Sequence, residues 1–298
     1  MPKRGGMMKL ATVAVGGGTR AALVEDERPV GLLRAEFRTV GDVIAAVGQG
    51  VADPYRVSEA AGKDVKVLAP LPRPARNIFC VGKNYHEHAH EFARSGFDSS
   101  AAAGAVPDAP IIFSKVPESV IAPGAAIVFD PEVSEAIDYE AELAVIIGKA
   151  GKRISREDAL AHVWGYTIVN DVTARDVQQR LKQWHVGKSF DTFCPMGPWA
   201  ATADEIDLAD TRVQTWVNGE LRQDANTRDL IFDVPTIIET ISAGITLYPG
   251  DVIATGTPAG VGIGFKPPKY LTSGDRVRMT ISGIGTLENV VQADAPAG

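Results

Sequence analysis

Four carboxylates stand at spacings that could do chemistry. In the segment DYEAELAVIIG, residues 138–148, Asp138, Glu140 and Glu142 alternate. Alternate residues of a strand share a face, so an extended segment here aligns these three acids with Ala144 and Ile146. Exposed strand faces tolerate acids, but this face turns apolar at Ala144 and Ile146, which takes the strand into a core. Carboxylates about 7 Å apart on one face repel each other unless something positive lies between them. Asp171, in TIVNDVTARD, adds a carboxylate where an apolar strand meets a helix. Thr173 and Asp176 offer that helix a capping box, which leaves Asp171 free for other work. Oxygen ligands without a neighbouring cysteine suit a hard ion that keeps open positions, so Mg²⁺ or Mn²⁺ is favoured over Zn²⁺.

A second cluster is NYHEHAHEF, residues 84–92, which holds three of the five histidines. His86-Glu87-His88-Ala89-His90 matches H-E-x-x-H, the zinc-protease pattern. That reading needs a long buried helix and a third ligand downstream. Ser95-Gly96 ends the helical run soon after His90, and no H-x-x-G-x-x-H extension follows, so His86 and His90 read as solvated residues. GTPAGVGIGFKPP, residues 256–268, resembles a phosphate-cradling loop but lacks Gly-Lys-Ser/Thr and runs into Pro267-Pro268; it reads as a turn between strands. His162 reads as structural, and His185 lies just before Lys188. Core or interface packing accounts for the four scattered tryptophans.

The elements that must position these groups are mostly strands. KLATVAV, AALVED and RPVGLL are strand-like, and TVGDVIAAVG forms a short helix with Thr39 as N-cap and Val43, Ile44 and Val47 on one face. APLPRPARN, residues 69–77, carries three prolines and reads as a linker. It divides a small α+β domain, residues 1–70, from a larger one, residues 71–298. The stretch 94–110 is punctuated by Gly and Pro and reads as a mobile loop. Beyond it β signals dominate, separated by the turns PGD, NGE and SGD. Helices are expected at SREDALAHVW, with Ser155 and Asp158 at capping-box spacing, and at TARDVQQRLKQW. The class is β-rich α+β.

Composition narrows the function. The 298 residues suffice for a substantial core, and 45% hydrophobic with 22% charged residues is ordinary for a globular protein. A net charge of −7 argues against a nucleic-acid or anionic-membrane surface, while leaving room for a small anionic substrate in a local basic pocket. Cys80 and Cys194 are too few for a disulfide framework and read as small buried hydrophobes in a reducing compartment. The apolar run LATVAV is shorter than a signal-peptide core, and no stretch approaches a membrane span. The expected location is the cytoplasm.

NYHEHAHE, DYEAELAVIIG, VNDVTARDVQ, GKSFDTFCPMGP and GDVIATGTPAGVG occur in the order found in the fumarylacetoacetate hydrolase family. The chain resembles that family from about Ile78 to about Val291 and only loosely over its first 70 residues. The resemblance implies a mixed β-sandwich-like roll with a small N-terminal domain, usually a homodimer. It implies one Mg²⁺ or Mn²⁺ on Glu140, Glu142 and Asp171, and a His88–Glu91 dyad on a lid. It further implies Lys188 as an active-site lysine, Arg175 and Gln178 near the substrate, and Thr257 against a substrate carboxylate. Lys115 is carried over as a substrate contact with one departure: Lys115-Val116-Pro117 stands where the family often has Lys-Pro. The activity expected first is metal-dependent hydrolysis of a C–C bond in an acylpyruvate-like acid, with His88 activating water and Glu91 orienting it. Isomerisation or decarboxylation of a 2-hydroxy or 2-oxo dioate comes second, and a non-catalytic metal-binding module last.

Overall fold

The computed structural model describes residues 8–62, 65–96 and 106–294. Residues 97–105, the centre of the expected mobile loop, lie outside the described residues. The chain opens with β1 (Lys9–Val15), β2 (Gly18–Glu25), β3 (Arg28–Leu33), α1 (Val40–Gly48), β4 (Val57–Ala60) and β5 (Lys66–Leu68). It continues through β6 (Ile78–Gly82), α2 (His86–Ser95), β7 (Ile111–Lys115), β8 (Val120–Ile121), β9 (Ala126–Phe129), β10 (Ile137–Asp138) and β11 (Ala141–Ile147). Then come β12 (Val163–Asn170), β13 (Thr173–Ala174), α3 (Arg175–Leu181), α4 (His185–Lys188) and β14 (Cys194–Thr202). The last elements are β15 (Arg212–Val217), β16 (Glu220–Asn226), α5 (Val234–Ser242), β17 (Val252–Ala254), β18 (Arg276–Ile281) and β19 (Gly285–Ala293).

Two sheets make a β-rich α+β sandwich. A twelve-stranded sheet follows the path β4-β3-β2-β1-β14-β12-β11-β17-β6-β7, with β5 beside β1 and β8 beside β14. A five-stranded sheet, β16-β15-β18-β19-β9, covers one face. Strand β11 shows why its sequence is almost continuously apolar. Leu143, Val145 and Ile147 pack toward Val213, Met279 and Leu287 of the second sheet. Ala144 and Ile146 pack on the opposite side with Val43 and Ile44 of α1. A strand buried on both faces has no polar alternation to display.

Helix α1 starts as its sequence predicts: Asp42 N–H donates to Thr39 Oγ1 at 3.3 Å, and Thr39 N–H donates to Asp42 Oδ2 at 2.7 Å. Three local expectations need correction. Residues 155–158 make the hydroxyl–carboxylate contact of a capping box, but only a 3₁₀ turn, Ala159–His162, follows before β12 begins. Thr173 does not cap α3; it pairs with Asp138 in the short β10–β13 ladder, and its hydroxyl donates to Asp171 O at 2.9 Å. The expected continuous strand from Asp138 onward breaks at Tyr139-Glu140, so Asp138 leaves the face that carries Glu142. Pairing of β10 with β13 rather than β12 is what breaks it.

The strands before the proline-rich segment enter the same sheet as β11 and β12, since β1 pairs antiparallel with β14 through Lys9↔Ala201 and Leu10↔Ala200. Buried Thr12 ties three pieces together there. Its hydroxyl donates to Pro70 O at 2.7 Å and accepts from Val40 N–H, the first residue of α1, at 3.0 Å. Among the described residues no helix is long and apolar enough to cross a membrane. Thr12→Val would keep the shape but strand a buried donor and a buried acceptor, so a loss of about 1–3 kcal/mol is expected. A lower urea midpoint at unchanged slope would show it, and an unchanged midpoint would refute it.

Candidate active site

The carboxylates meet because of how β11 pairs with β12. The antiparallel register sets Ala141 opposite Asn170, so Glu140 and Asp171 leave the ladder together at its end. Asp171 N–H donates to Glu140 O at 2.9 Å, and Glu140 N–H donates to Asn170 Oδ1 at 3.0 Å. Glu142, one residue inside the strand, completes the group. One oxygen from each of Glu140, Glu142 and Asp171 lies within 4.8 Å of the others, and all three residues are buried.

Basic side chains surround this cluster. Lys188 Nζ donates to Glu140 Oε2 at 2.7 Å and Asp171 Oδ2 at 2.8 Å. Lys115 Nζ donates to Asp171 Oδ1 at 2.7 Å, to Val172 O at 3.2 Å and to the Lys188 carbonyl. Arg175 Nε donates to Asp138 Oδ2 at 2.9 Å and Nη1 to Gln178 Oε1 at 3.2 Å. Arg175 Nη2 lies 2.7 Å from Glu140 Oε1 without hydrogen-bond geometry. Lys115 is fully buried beneath Asp171 and does not line the recess, so its expected substrate contact becomes a buried counter-ion instead. Asp138 likewise serves Arg175 and stays outside the three-acid group.

Two of these acids are driven in opposite directions. Burial alone would raise the Glu140 carboxyl, but the Lys188 ammonium and Arg175 guanidinium outweigh it and lower the pKa to about 2. Burial raises Glu142 well above the usual carboxylate range, and the adjacent Asp171 and Glu140 charges raise it further. Burial opposes the charge on Lys188, yet Asp171 and Glu140 hold its pKa above the ordinary value.

The glycine-rich loop after β17 contributes backbone donors. Gly256 N–H donates to Glu142 Oε2 at 2.8 Å, and Gly260 N–H to Glu91 Oε1 at 3.0 Å. Gly262 and Ile263 N–H donate to Asp138 at 2.6 and 3.0 Å. The sequence reads as a turn between strands, but the loop also cradles anions, which are the protein's own carboxylates. Gly256 has no substitute there: its φ is +102°, and a Cβ would lie 2.7 Å from Asn84 Cβ.

Helix α2 places His88 Nδ1 3.2 Å from Glu91 Oε2, with His88 buried at 5% exposure. The i, i+3 spacing therefore brings the expected dyad together. His86 and His90 face outward. His162 Nδ1 lies 2.8 Å from Lys149 O, and His185 Nδ1 lies 2.9 Å from Ser114 O, both away from the recess. His88, Glu140, Glu142, Arg175, Gln178, Lys188 and Thr257 all line one recess. Lys83, Phe92, Phe113 and Trp184 complete its wall, and sequence reading assigned none of them. Lys83 directly precedes the Asn84-Tyr85 motif, a position that could have flagged it. Trp184 gives no such signal; it reaches the site because Gly82 has no side chain, and a Cβ there would lie 2.3 Å from the indole ring. The aromatic wall faces cations, with Lys188 Nζ 5.1 Å from the Phe113 ring centre and Arg175 Cζ 5.8 Å from that of Phe92.

The donor set fits a hard divalent ion. Opposed oxygens of a six-coordinate Mg²⁺ stand about 4 Å apart, within reach of these three carboxylates. A cation there would relieve the repulsion that raises Glu142.

A β-sandwich carrying three clustered buried acids, a buried lysine and a His–Glu pair defines an enzyme scaffold. The family model of the fumarylacetoacetate (FAA) hydrolase C-terminal domain matches residues 77–292, and the chain belongs to this family. It is 45% identical over 292 residues to the oxaloacetate tautomerase YisK of Bacillus subtilis (strain 168), covering 90% of this chain and 94% of the relative. A fumarylacetoacetate hydrolase structure from psychrophilic Exiguobacterium antarcticum is 40% identical, with a TM-score of 0.81 over 96% of this chain and 100% of that one. The 2-hydroxyhepta-2,4-diene-1,7-dioate isomerase of Mycobacterium marinum is 34% identical, with a TM-score of 0.74 over 97% and 99% of the two chains.

Because burial and the adjacent Asp171 and Glu140 charges raise the Glu142 carboxyl above the usual carboxylate range, cation binding there is expected to release a proton. Mg²⁺ or Mn²⁺ affinity should rise with pH and level off once pH exceeds the Glu142 pKa. Calorimetry in buffers of different ionisation enthalpy should detect proton release. Affinity that is flat or falls as pH rises above the ordinary carboxylate range would contradict this assignment.

Proposed function

We propose that the chain interconverts the keto and enol forms of a small 2-oxo dicarboxylic acid of the oxaloacetate type, with Mg²⁺ or Mn²⁺ on Glu140, Glu142 and Asp171. The observation that carries this reading is the opening of His88, backed by Glu91, onto the recess that holds the acid cluster and Lys188. The similarity to an oxaloacetate tautomerase over most of both chains supports the choice of substrate class. A divalent ion, when bound, polarises the 2-oxo group and acidifies the neighbouring C–H bond.

The protein's groups do the rest. His88 takes the proton from the carbon next to the 2-oxo group. Glu91 orients the imidazole and stabilises its cation, and is itself held by Gly260 N–H. The Lys188 ammonium stabilises negative charge developing on the 2-oxygen. Arg175, Gln178 and Thr257 bind substrate oxygens, and Lys83 adds positive field to the recess. The His88 imidazolium then gives its proton to the 2-oxygen, so one proton leaves carbon, one arrives on oxygen, the base is regenerated and no water is consumed.

Sequence reasoning ranked C–C bond hydrolysis first; the tautomerase similarity moves proton transfer ahead of it. Hydrolysis of an acylpyruvate-like acid stays as the second reading, favoured by the likeness to the Exiguobacterium hydrolase structure. It needs the same chelated acid plus an attacking water.

Purified protein with Mg²⁺ or Mn²⁺ should speed decay of enol-oxaloacetate absorbance without releasing pyruvate. Pyruvate from an acylpyruvate would establish hydrolysis, and pyruvate from oxaloacetate would establish decarboxylation. His88→Ala should lower the rate by about 10²–10⁴-fold while metal affinity persists. A full rate in that variant, or in excess EDTA, would reject the proposal.

A further inference from the structure

Gln223, on β16 of the second sheet, is fully buried and satisfies all of its amide hydrogen-bonding directions. Its Oε1 accepts from Ala141 N–H at 3.2 Å and from Thr215 Oγ1 at 2.8 Å. Its Nε2 donates to Thr257 Oγ1 and to Pro258 O, both at 2.8 Å. The amide cannot be turned over. Ala141 N–H can only donate and Pro258 C=O can only accept, so oxygen must face the first and nitrogen the second.

This polarity settles the state of Thr257. Its hydroxyl oxygen accepts from Gln223, so its single proton must point elsewhere. Among the described residues no acceptor takes that proton, and Thr257 lines the recess. Gln223 also bonds the backbone of Ala141, between Glu140 and Glu142, so the same amide fixes the hydroxyl relative to the acid cluster.

We propose that Gln223 is a positioning residue that presents the Thr257 hydroxyl to the recess as an oriented donor, selecting ligands that place a carboxylate oxygen there. This specificity rests on the 2-oxo acid reading above. Gln223 touches no substrate; it acts through Thr257, whose single hydroxyl proton it turns away from the amide.

The test uses oxalate, a small dicarboxylate, titrated into the full chain with Mg²⁺ by calorimetry. Gln223→Met conserves volume and removes the amide. It should raise the oxalate dissociation constant about tenfold, the scale of one hydrogen bond to a charged group. Thr257→Val should do the same, and Thr257→Ser should stay near the parent. In the Thr257→Val background, Gln223→Met should change the constant by less than about twofold, because the hydroxyl it orients is gone. Independent, additive effects, or no effect of Gln223→Met, would overturn the proposal.

Should Gln223→Met fail to fold, neutron diffraction from the unaltered protein with oxalate decides the point. A Thr257 deuteron directed at the ligand supports the proposal, and one directed at Gln223 rejects it. Parent protein that binds oxalate yet leaves enol-oxaloacetate unconverted would sink the proposed function while the Gln223 coupling could still be read.

Discussion

The whole site is organised around one electrostatic constraint: three carboxylates within 4.8 Å of one another, all out of water. Like charges this close in a low-dielectric setting cannot all ionise unless positive charge is brought to them. Lys188 bridges Glu140 and Asp171, Lys115 supports Asp171 from below, and Arg175 stands between Asp138 and Glu140. Lys115, Arg175 and Lys188 make up this neutralising frame. Truncating any of them would leave a buried charge uncompensated, the costly way to break such a pair.

The frame reaches into both sheets and the loops that join them. The end of the β11–β12 ladder brings Glu140 and Asp171 side by side, and the loop after β17 supplies N–H groups to Glu142, Glu91 and Asp138. The second sheet enters through Gln223, which bonds Ala141 and Thr257 at once. Helix α2 is secured by the Glu91 bonds to Gly260, so the position of His88 depends on the same loop that steadies the acids. A loop rich in glycine is required because its backbone approaches side chains too closely for a Cβ, as at Gly256.

Much of this was legible in the sequence. The alternation of Glu140 and Glu142 before an apolar run marked acids entering a core, and ordered motifs pointed to the family that the comparison then showed. The i, i+3 spacing of His88 and Glu91 foretold their contact. What escaped were features set by partners far away in the chain. Asp138 fits the alternation, but pairing of β10 with β13 diverts it to Arg175. Thr173 fits a capping box, but the same ladder claims it. Lys115 is buried because β7 runs under Asp171, and Trp184 lines the recess only through its contact with Gly82. Gln223 carries no local motif; its importance lies entirely in what three separated segments present to one amide.

Charge balance links this architecture to the chemistry. Asp138, Glu140, Glu142 and Asp171 face Lys115, Arg175 and Lys188, which leaves the network short of one positive charge. Burial and the neighbouring Asp171 and Glu140 charges raise the Glu142 pKa, the direction in which a proton would make good that deficit, while Lys188 and Arg175 lower that of Glu140. A divalent ion would displace that proton and bring two charges where one was missing. The recess would then carry an excess positive charge, with His88 and Lys83 close by. Under the proposed function, an anionic 2-oxo acid would restore the balance, and the electrons released as its C–H bond breaks would move toward the surplus positive charge. The net charge of −7 on the chain is no obstacle, because the field that the substrate meets is set by this local account.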